Sequence, residues 1–396
     1  MKYHHQLRCG VLALCLGGGL PGLANAVEEV QPSHITDTLI LQHNVPGLRP
    51  EMLDWWWDNL TDEADYQNWH PQDHGDFYWI NGPDNTQDLA YSAYAQYQIT
   101  EYIAGHEVPS VVTYMPKEMA QDWVSGGDWI LTEKRFTESS SDEPGWVLRQ
   151  YQVNDDLDGV TVTYRYHLPD DIDEIYPGYR EAFAEHLQQE MEYLADFLPD
   201  RFLTEYIQAV HRNRGTFTVT QTGWLEKTVV VDQEIIGITP AMMDWWWDNI
   251  ADTARYMQWH PTAHISFEWE SPPSDPTSDT YSVGAVQIVE EYLGPYYSEL
   301  VITWLDPEGA KDLVEYDHYL YGQTELKLFR GLFQQTLLHE YTWNNTGDGI
   351  LMRSTFTIPS FLDWVLWGFS KQLGYHALEE MQFLPHFLPE LYESRP

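Results

Sequence analysis

The feature that most constrains this chain is an internal repeat. Thr38-Leu39-Ile40-Leu41, followed by Met52-Leu53-Asp54-Trp55-Trp56-Trp57-Asp58-Asn59, returns as Thr228-Val229-Val230-Val231 and Met242-Met243-Asp244-Trp245-Trp246-Trp247-Asp248-Asn249. Trp69-His70-Pro71 with His74 returns as Trp259-His260-Pro261 with His264, and Phe197-Leu198-Pro199 as Phe387-Leu388-Pro389, all at one offset of 190. A period this long describes tandem domains rather than a solenoid. It divides the chain into copy one (38–206), a connector with some strand character (207–227) and copy two (228–396). Two domains also suit a length of 396 residues at roughly 100–200 residues per domain.

Each copy has the same predicted order of elements. A strand (38–43; 228–233) leads through Pro50 or Pro240 into a Trp-rich helix, and several strands follow. Val160 to Tyr166 is the clearest strand, because apolar and polar residues alternate along it. A long helix closes each copy, about 178–198 in the first and 360–384 in the second, the latter with Ser360 at its N-cap. This order predicts an α+β, helix-grip architecture, a curled antiparallel sheet around one long C-terminal helix with a cavity between them. The Trp triplets cannot face one way on a helix and read as core or cavity wall.

The closing helices carry His186-x-x-x-Glu190 and His376-x-x-x-Glu380, pairs that share one helical face. Each pair borders an apolar stripe, where a Glu needs a partner or a metal. His70 and Glu101 stand in the same register as His260 and Glu291, with 31 residues within each pair, while neighbouring positions have drifted. Two His and two Glu per copy form a donor set suited to Zn²⁺, with Mn²⁺ or Fe²⁺ also compatible. The candidate ligands are thus His70, Glu101, His186 and Glu190, and His260, Glu291, His376 and Glu380. Helix-face hydrogen bonds with a core histidine fit the same residues. His74 and His264 fit a general acid or base, an orienting residue, or a satisfied polar group.

The combined pattern resembles the 2,4-diacetylphloroglucinol hydrolase and phloretin hydrolase family. Met52, Trp55, Trp56, Tyr66, Trp69, His70, Pro71, His74, Glu101, His186 and Glu190 carry the resemblance in copy one, and their counterparts at the 190-residue offset carry it in copy two. It implies a Bet v 1-like fold, a zinc held by His, Glu, His and Glu, and hydrolysis of the C–C bond between an acyl group and a phenolic ring, with one such domain per chain in the family where the repeat here gives two in tandem. Asp73, His74, Tyr66 and His264 are then the candidate proton carriers. Asp73 is replaced by Ala263 in copy two, so copy one is expected to be the more competent. The rival readings are a helix-grip carrier for an apolar aromatic ligand, without turnover, and a metal-dependent esterase.

Composition narrows the partners. Lys+Arg number 20 against 62 Asp+Glu, a net charge of −42 that repels nucleic acid and anionic lipid. No apolar run reaches the roughly 20 residues of a membrane span. Aromatics make up 15% of the chain, which suits a large apolar pocket as well as a core. Residues 1–26 read as a secretory signal peptide, basic at Lys2 and Arg8, apolar from Val11 to Leu23 and ending in Ala24-Asn25-Ala26, so that a segment 27–37 precedes copy one. Both cysteines, Cys9 and Cys15, fall within it, which removes thiol chemistry from an exported, periplasmic or secreted product.

Overall fold

Proline decides where the first helix of each copy begins. In a computed structural model, which describes residues 39–278, 280–331 and 334–395, Pro50 and Pro240 stand in the first turn of matching helices. Proline fits there because its missing N–H has no partner in a first turn. The signal peptide and the segment 27–37 lie outside the described residues.

The first sheet is built from β1 (Leu39–Pro46), β2 (His74–Asn81), β3 (Gln96–Ile103), β4 (His106–Met115), β5 (Asp128–Phe136), β6 (Gly145–Val153) and β7 (Gly159–His167). Between β1 and β2 stand α1 (Pro50–Asn59) and α2 (Glu63–Trp69), and after β7 come α3 (Ile172–Ile175) and α4 (Tyr179–Arg201). All pairings are antiparallel in the order β1-β7-β6-β5-β4-β3-β2, so the first strand closes against the last. Phe183, Leu187, Met191, Leu194 and Leu198 of α4 share one core with sheet residues such as Ile99, Val112, Val147 and Tyr164. This is the helix-grip arrangement, with α4 on the concave face.

The second sheet repeats that order with β9 (Glu226–Ile236), β10 (His264–Ser271), β11 (Val286–Leu293), β12 (Tyr296–Trp304), β13 (His318–Leu326), β14 (Gln334–Trp343) and β15 (Gly349–Pro359). Its helices are α5 (Pro240–Asn249), α6 (Thr253–Trp259), α7 (Leu362–Val365), α8 (Phe369–Met381) and α9 (Leu384–Glu393). One more strand, β8 (Gly215–Gly223), lies within residues 207–227 and adds to the edge of this sheet by pairing with β9. A Cβ at Gly374 of α8 would meet Phe217 Cδ2 at 2.5 Å, so that glycine lets β8 and α8 approach closely.

The single closing helix expected over 360–384 is instead three helices. Ser360 does not cap it, since its backbone N–H donates to Leu225 O at 2.9 Å. Gly368, at φ +74°, takes the N-cap position of α8 in a left-handed conformation. Pro385 stands in the first turn of α9, where α4 has Ala195 in mid-helix. Proline cannot donate the N–H that would join α8 to α9.

The Trp triplet of α1 is core on all sides, with Trp55, Trp56 and Trp57 each no more than 2% exposed. Trp57 Nε1 donates to Tyr151 Oη at 3.0 Å, and Tyr151 donates to Asp54 Oδ1 at 2.5 Å. Trp56 meets Trp69 and Phe197 edge to face. Residues 202–208 continue from α4 as a π-helical turn, and there Phe202 and Tyr206 pack on Phe383 of the second copy. Trp56→Ala should therefore cost roughly 3–5 kcal/mol of stability, read as a lower urea midpoint. A change below about 1 kcal/mol would show that this ring is not the core residue its burial implies.

Candidate metal centre

Each candidate centre is assembled from a strand pair and one helix face. The α2–β2 turn is closed by His74 N–H donating to His70 O at 3.0 Å, and β2 then pairs with β3 so that His74 stands opposite Glu101. In copy two the same turn, at 3.0 Å, puts His264 opposite Glu291. The closing helix supplies His186 and Glu190, or His376 and Glu380, from one face.

In copy two, four donor groups converge. His264 Nε2 lies 3.7 Å from Glu291 Oε2 and 3.6 Å from Glu380 Oε2. His376 Nε2 lies 3.8 Å from each of the same carboxylates. Ligands at about 2.0–2.1 Å from a tetrahedral ion stand roughly 3.3–3.4 Å from each other, close to this spacing. His264 Nδ1 donates to Tyr256 O at 2.7 Å, which leaves Nε2 as the lone-pair nitrogen. That Nε2 is buried and without a hydrogen-bond partner among the described residues. A backbone carbonyl on the far ring nitrogen is how metal-binding histidines are commonly held. Tyr256 also stacks on His264, with ring centres 3.8 Å apart, and its hydroxyl donates to Glu291.

Electrostatics favour a cation here. Burial pushes the Glu291 carboxyl up to about 7 against the hydrogen bond from Tyr256. Burial, Glu291 and Glu379 push Glu380 well above the ordinary range. Burial holds His264 well below its usual value and His376 down to about 3, so both imidazoles are neutral lone-pair donors. Among the described residues no Lys or Arg pairs with Glu291 or Glu380. Two neutral imidazoles and two uncompensated carboxylates fit a divalent ion.

Copy one places the same residues differently in charge. His74 Nε2 lies 3.4 Å from Glu190 Oε1, and His186 Nε2 lies 3.6 Å from Glu190 and 3.9 Å from Glu101. Here, however, Lys134 Nζ is bonded to Glu101, and Arg149 Nη2 donates to Glu190 Oε2 at 3.0 Å. Burial alone would raise both carboxyls, but Arg149 with His186 outweighs it at Glu190 and Lys134 with His186 outweighs it at Glu101, so both lie below the ordinary range. Burial lowers His186, yet Asp73, Glu190 and Glu101 overcome it and raise the imidazole to about 9.

The sequence reading took His70 and His260 as ligands. In the structure His70 has both nitrogens engaged, since Nδ1 accepts from Asp73 N–H at 3.1 Å and Nε2 donates to Gln189 Oε1 at 3.1 Å. His260 Nε2 meets Glu379 Oε2 at 3.1 Å. His74 and His264, which the sequence reading treated as proton carriers, face the two glutamates, while His70 groups with Asp73 and His186, and His260 with His376 and Glu379, in sets that could also hold an ion. Asp73 accepts from His186 Nδ1 at 3.1 Å and so orients that ring. Tyr66 stacks on His74 at 3.8 Å, with its hydroxyl 3.5 Å from Glu101 Oε1.

Several contributors escaped the sequence reading. Arg212 and His211, from the segment between the copies, hold Glu379 by its carboxylate and its carbonyl respectively, one residue from Glu380. Lys134 and Arg149 also went unread, although the offset of 190 pairs them with Thr324 and His339. The cavities differ accordingly. In copy two a cavity of about 80 Å³ is bounded by Glu291, His376, Glu380, Gln287, His339 and Leu373 among others, whereas its copy-one counterpart is about 20 Å³. Gln287 Oε1 is a buried acceptor without a partner among the described residues.

Residues 217–362 match the family described as the DAPG hydrolase PhiG domain. No curated protein matches the chain. Among solved structures it is similar to Ara h 8.0201 at 12% identity, over 41% of this chain and 97% of that one, with a TM-score of 0.29. It is also similar to the di-domain ARO/CYC StfQ from the steffimycin biosynthetic pathway at 12% identity, over 90% and 100%, with a TM-score of 0.26. Protein CV1439 from Chromobacterium violaceum aligns at 14% identity over 41% and 96%, with a TM-score of 0.27.

Zinc added to chelator-treated protein should raise its thermal midpoint, because an ion bound only by the folded state adds about 2.7 kcal/mol at 100 times its dissociation constant. His264→Ala should abolish the rise, while His260→Ala should keep most of it. The opposite ranking, measured by thermal scans at several zinc concentrations, would return the ligand role to His260.

Proposed function

We propose, from the match of residues 217–362 to the DAPG hydrolase family, that the second half of the chain is a metal-dependent hydrolase. It cleaves the C–C bond between an acyl group and a phenolic ring, with an acylphloroglucinol-type compound as substrate. The observation that carries the reading is the group His264, His376 and Glu380, with Glu291 at 3.7 and 3.8 Å from the two imidazoles and no basic partner on either carboxylate among the described residues, beside a cavity of about 80 Å³. The donor set suits zinc, and an ion bound there supplies a Lewis acid and a lowered pKa for water.

The remaining chemistry belongs to the chain. Apolar walls such as Leu300, Ile302, Phe356 and Leu373 receive the ring and keep bulk water out. Gln287 Oε1, buried and without a partner, accepts a hydrogen bond from a phenolic hydroxyl. In net terms water adds its oxygen to the acyl carbon and the aryl–acyl bond breaks. The electron pair goes to the ring carbon, where flanking phenolic oxygens spread the charge, and that carbon takes a proton. The products are a carboxylic acid and the deacylated phenol. Tyr256 lines the cavity, and its hydroxyl, kept protonated by burial and Glu291, is the O–H donor best placed to relay that proton.

This reading reverses the expectation that copy one is the more competent. The absence of Asp73 from copy two matters less than its open cavity and unpaired glutamates. With residues 1–26 read as an export signal, the reaction is placed outside the cytoplasm.

The test is turnover of a mono- or diacylphloroglucinol by the zinc-loaded chain, with products identified by mass. Release of the carboxylic acid and the deacylated ring is expected, with loss on chelation and at least a hundredfold lower kcat/KM in His376→Ala. Gln287→Leu should raise KM more than it lowers kcat. Binding without turnover would make the domain a carrier, and cleavage of aryl esters only would make it an esterase.

A further inference from the structure

The two copies answer one electrostatic problem in two ways. In both, two glutamates face two histidines inside the grip of the sheet. In copy two the positions opposite them on the sheet are Thr324 and His339, which bring no fixed positive charge. In copy one these positions are Lys134 and Arg149. Strand register confirms the equivalence: Lys134 pairs with Val112 and Thr324 with Ile302, Arg149 with Ile130 and His339 with Leu320. Both basic side chains are buried, Lys134 at 5% and Arg149 at 7% exposure, and each bonds directly to one glutamate. Arg149 also lies over the Trp57 and Trp69 rings, 5.9 Å from each.

We infer that copy one is a metal-free counterpart of the copy-two centre, in which Lys134 and Arg149 supply permanently the two positive charges that a divalent ion supplies in copy two. This rests on the proposed reading of the copy-two quartet. A divalent ion arriving at Glu101 and Glu190 would have to displace both ion pairs and strand two buried cations, which is prohibitively costly. The space has closed as well. Tyr97 stands where copy two has Gln287, and Phe183 where it has Leu373, and the cavity is about 20 Å³ instead of about 80 Å³. Asp73 completes the arrangement by pairing with His186. The consequence is one metal ion and one active centre per chain. Copy one then acts as a scaffold, whose outgoing segment 202–214 supports α8 through His211 and Arg212 on Glu379, and the turn after it through Phe202 and Tyr206 on Phe383.

The experiment is zinc stoichiometry by elemental analysis, after equilibrium dialysis and gel filtration. One ion per wild-type chain is expected, retained in His74→Ala and lost in His264→Ala. In the double variant Lys134→Thr/Arg149→His the expected count rises to two, with folding checked by circular dichroism. Two ions in wild type, one of them lost in His74→Ala, would overturn the inference. So would one ion in a folded double variant, and that result would leave the copy-two reading standing. No ion in wild type would instead remove the copy-two reading. Should the double variant fail to fold, the wild-type and His74→Ala counts still decide.

Discussion

Two carboxylates enclosed between a sheet and a helix are the constraint on which the rest of this molecule turns. Removing an ionised carboxylate from water costs several kcal/mol unless a positive charge meets it. Glu291 and Glu380 lie 7% and 8% exposed, and among the described residues they meet the imidazoles of His264 and His376 and the Tyr256 hydroxyl but no Lys or Arg. Glu101 and Glu190 are as deeply buried, but Lys134 and Arg149 neutralise them. One backbone design therefore holds its glutamates either without a basic partner or in buried ion pairs, and Lys134 and Arg149 on adjacent strands make that difference.

The helix-grip frame makes both outcomes possible. Closing the first strand on the last wraps the sheet around the terminal helix and points side chains from several strands at one helical turn. The His-x-x-x-Glu pair needs only the helix repeat to face that enclosure. The strand residues need register, which the α2–β2 turn sets by tying His74 to His70 O and His264 to His260 O. Tyr66 and Tyr256 then fix the imidazole tautomer with a backbone carbonyl and cover the ring with their own. The connecting segment adds a third support, since Arg212 and His211 hold Glu379 beside Glu380.

Much of this was legible in the sequence, in uneven ways. The constant offset of 190 exposed the repeat, and element order pointed to the helix-grip fold. The i, i+4 pairs brought His186 with Glu190 and His376 with Glu380 to one face, as helix geometry requires. The arrangement of His70 and His74 was not legible, because His70 ends α2 and His74 begins β2, and only the turn between them decides which ring meets the glutamates. The break in the last helix could have been read, since Pro385 replaces Ala195. The contrast between copies was also on the page. Asp73 against Ala263 drew attention because it lies beside the motif. Lys134 against Thr324 and Arg149 against His339 lie far from it in sequence and reach it only through strand pairing.

The central claim is that unpaired charge, rather than the ligand motif both copies share, decides where a metal binds. The most direct measurement is a crystal structure of the zinc-loaded chain with anomalous difference density recorded on both sides of the zinc edge. A single peak is expected, within about 2.0–2.2 Å of His264 Nε2, His376 Nε2 and oxygens of Glu291 and Glu380. No peak is expected near Glu101. A peak of comparable height between His186 and Glu190, with Lys134 and Arg149 turned away, would contradict the account.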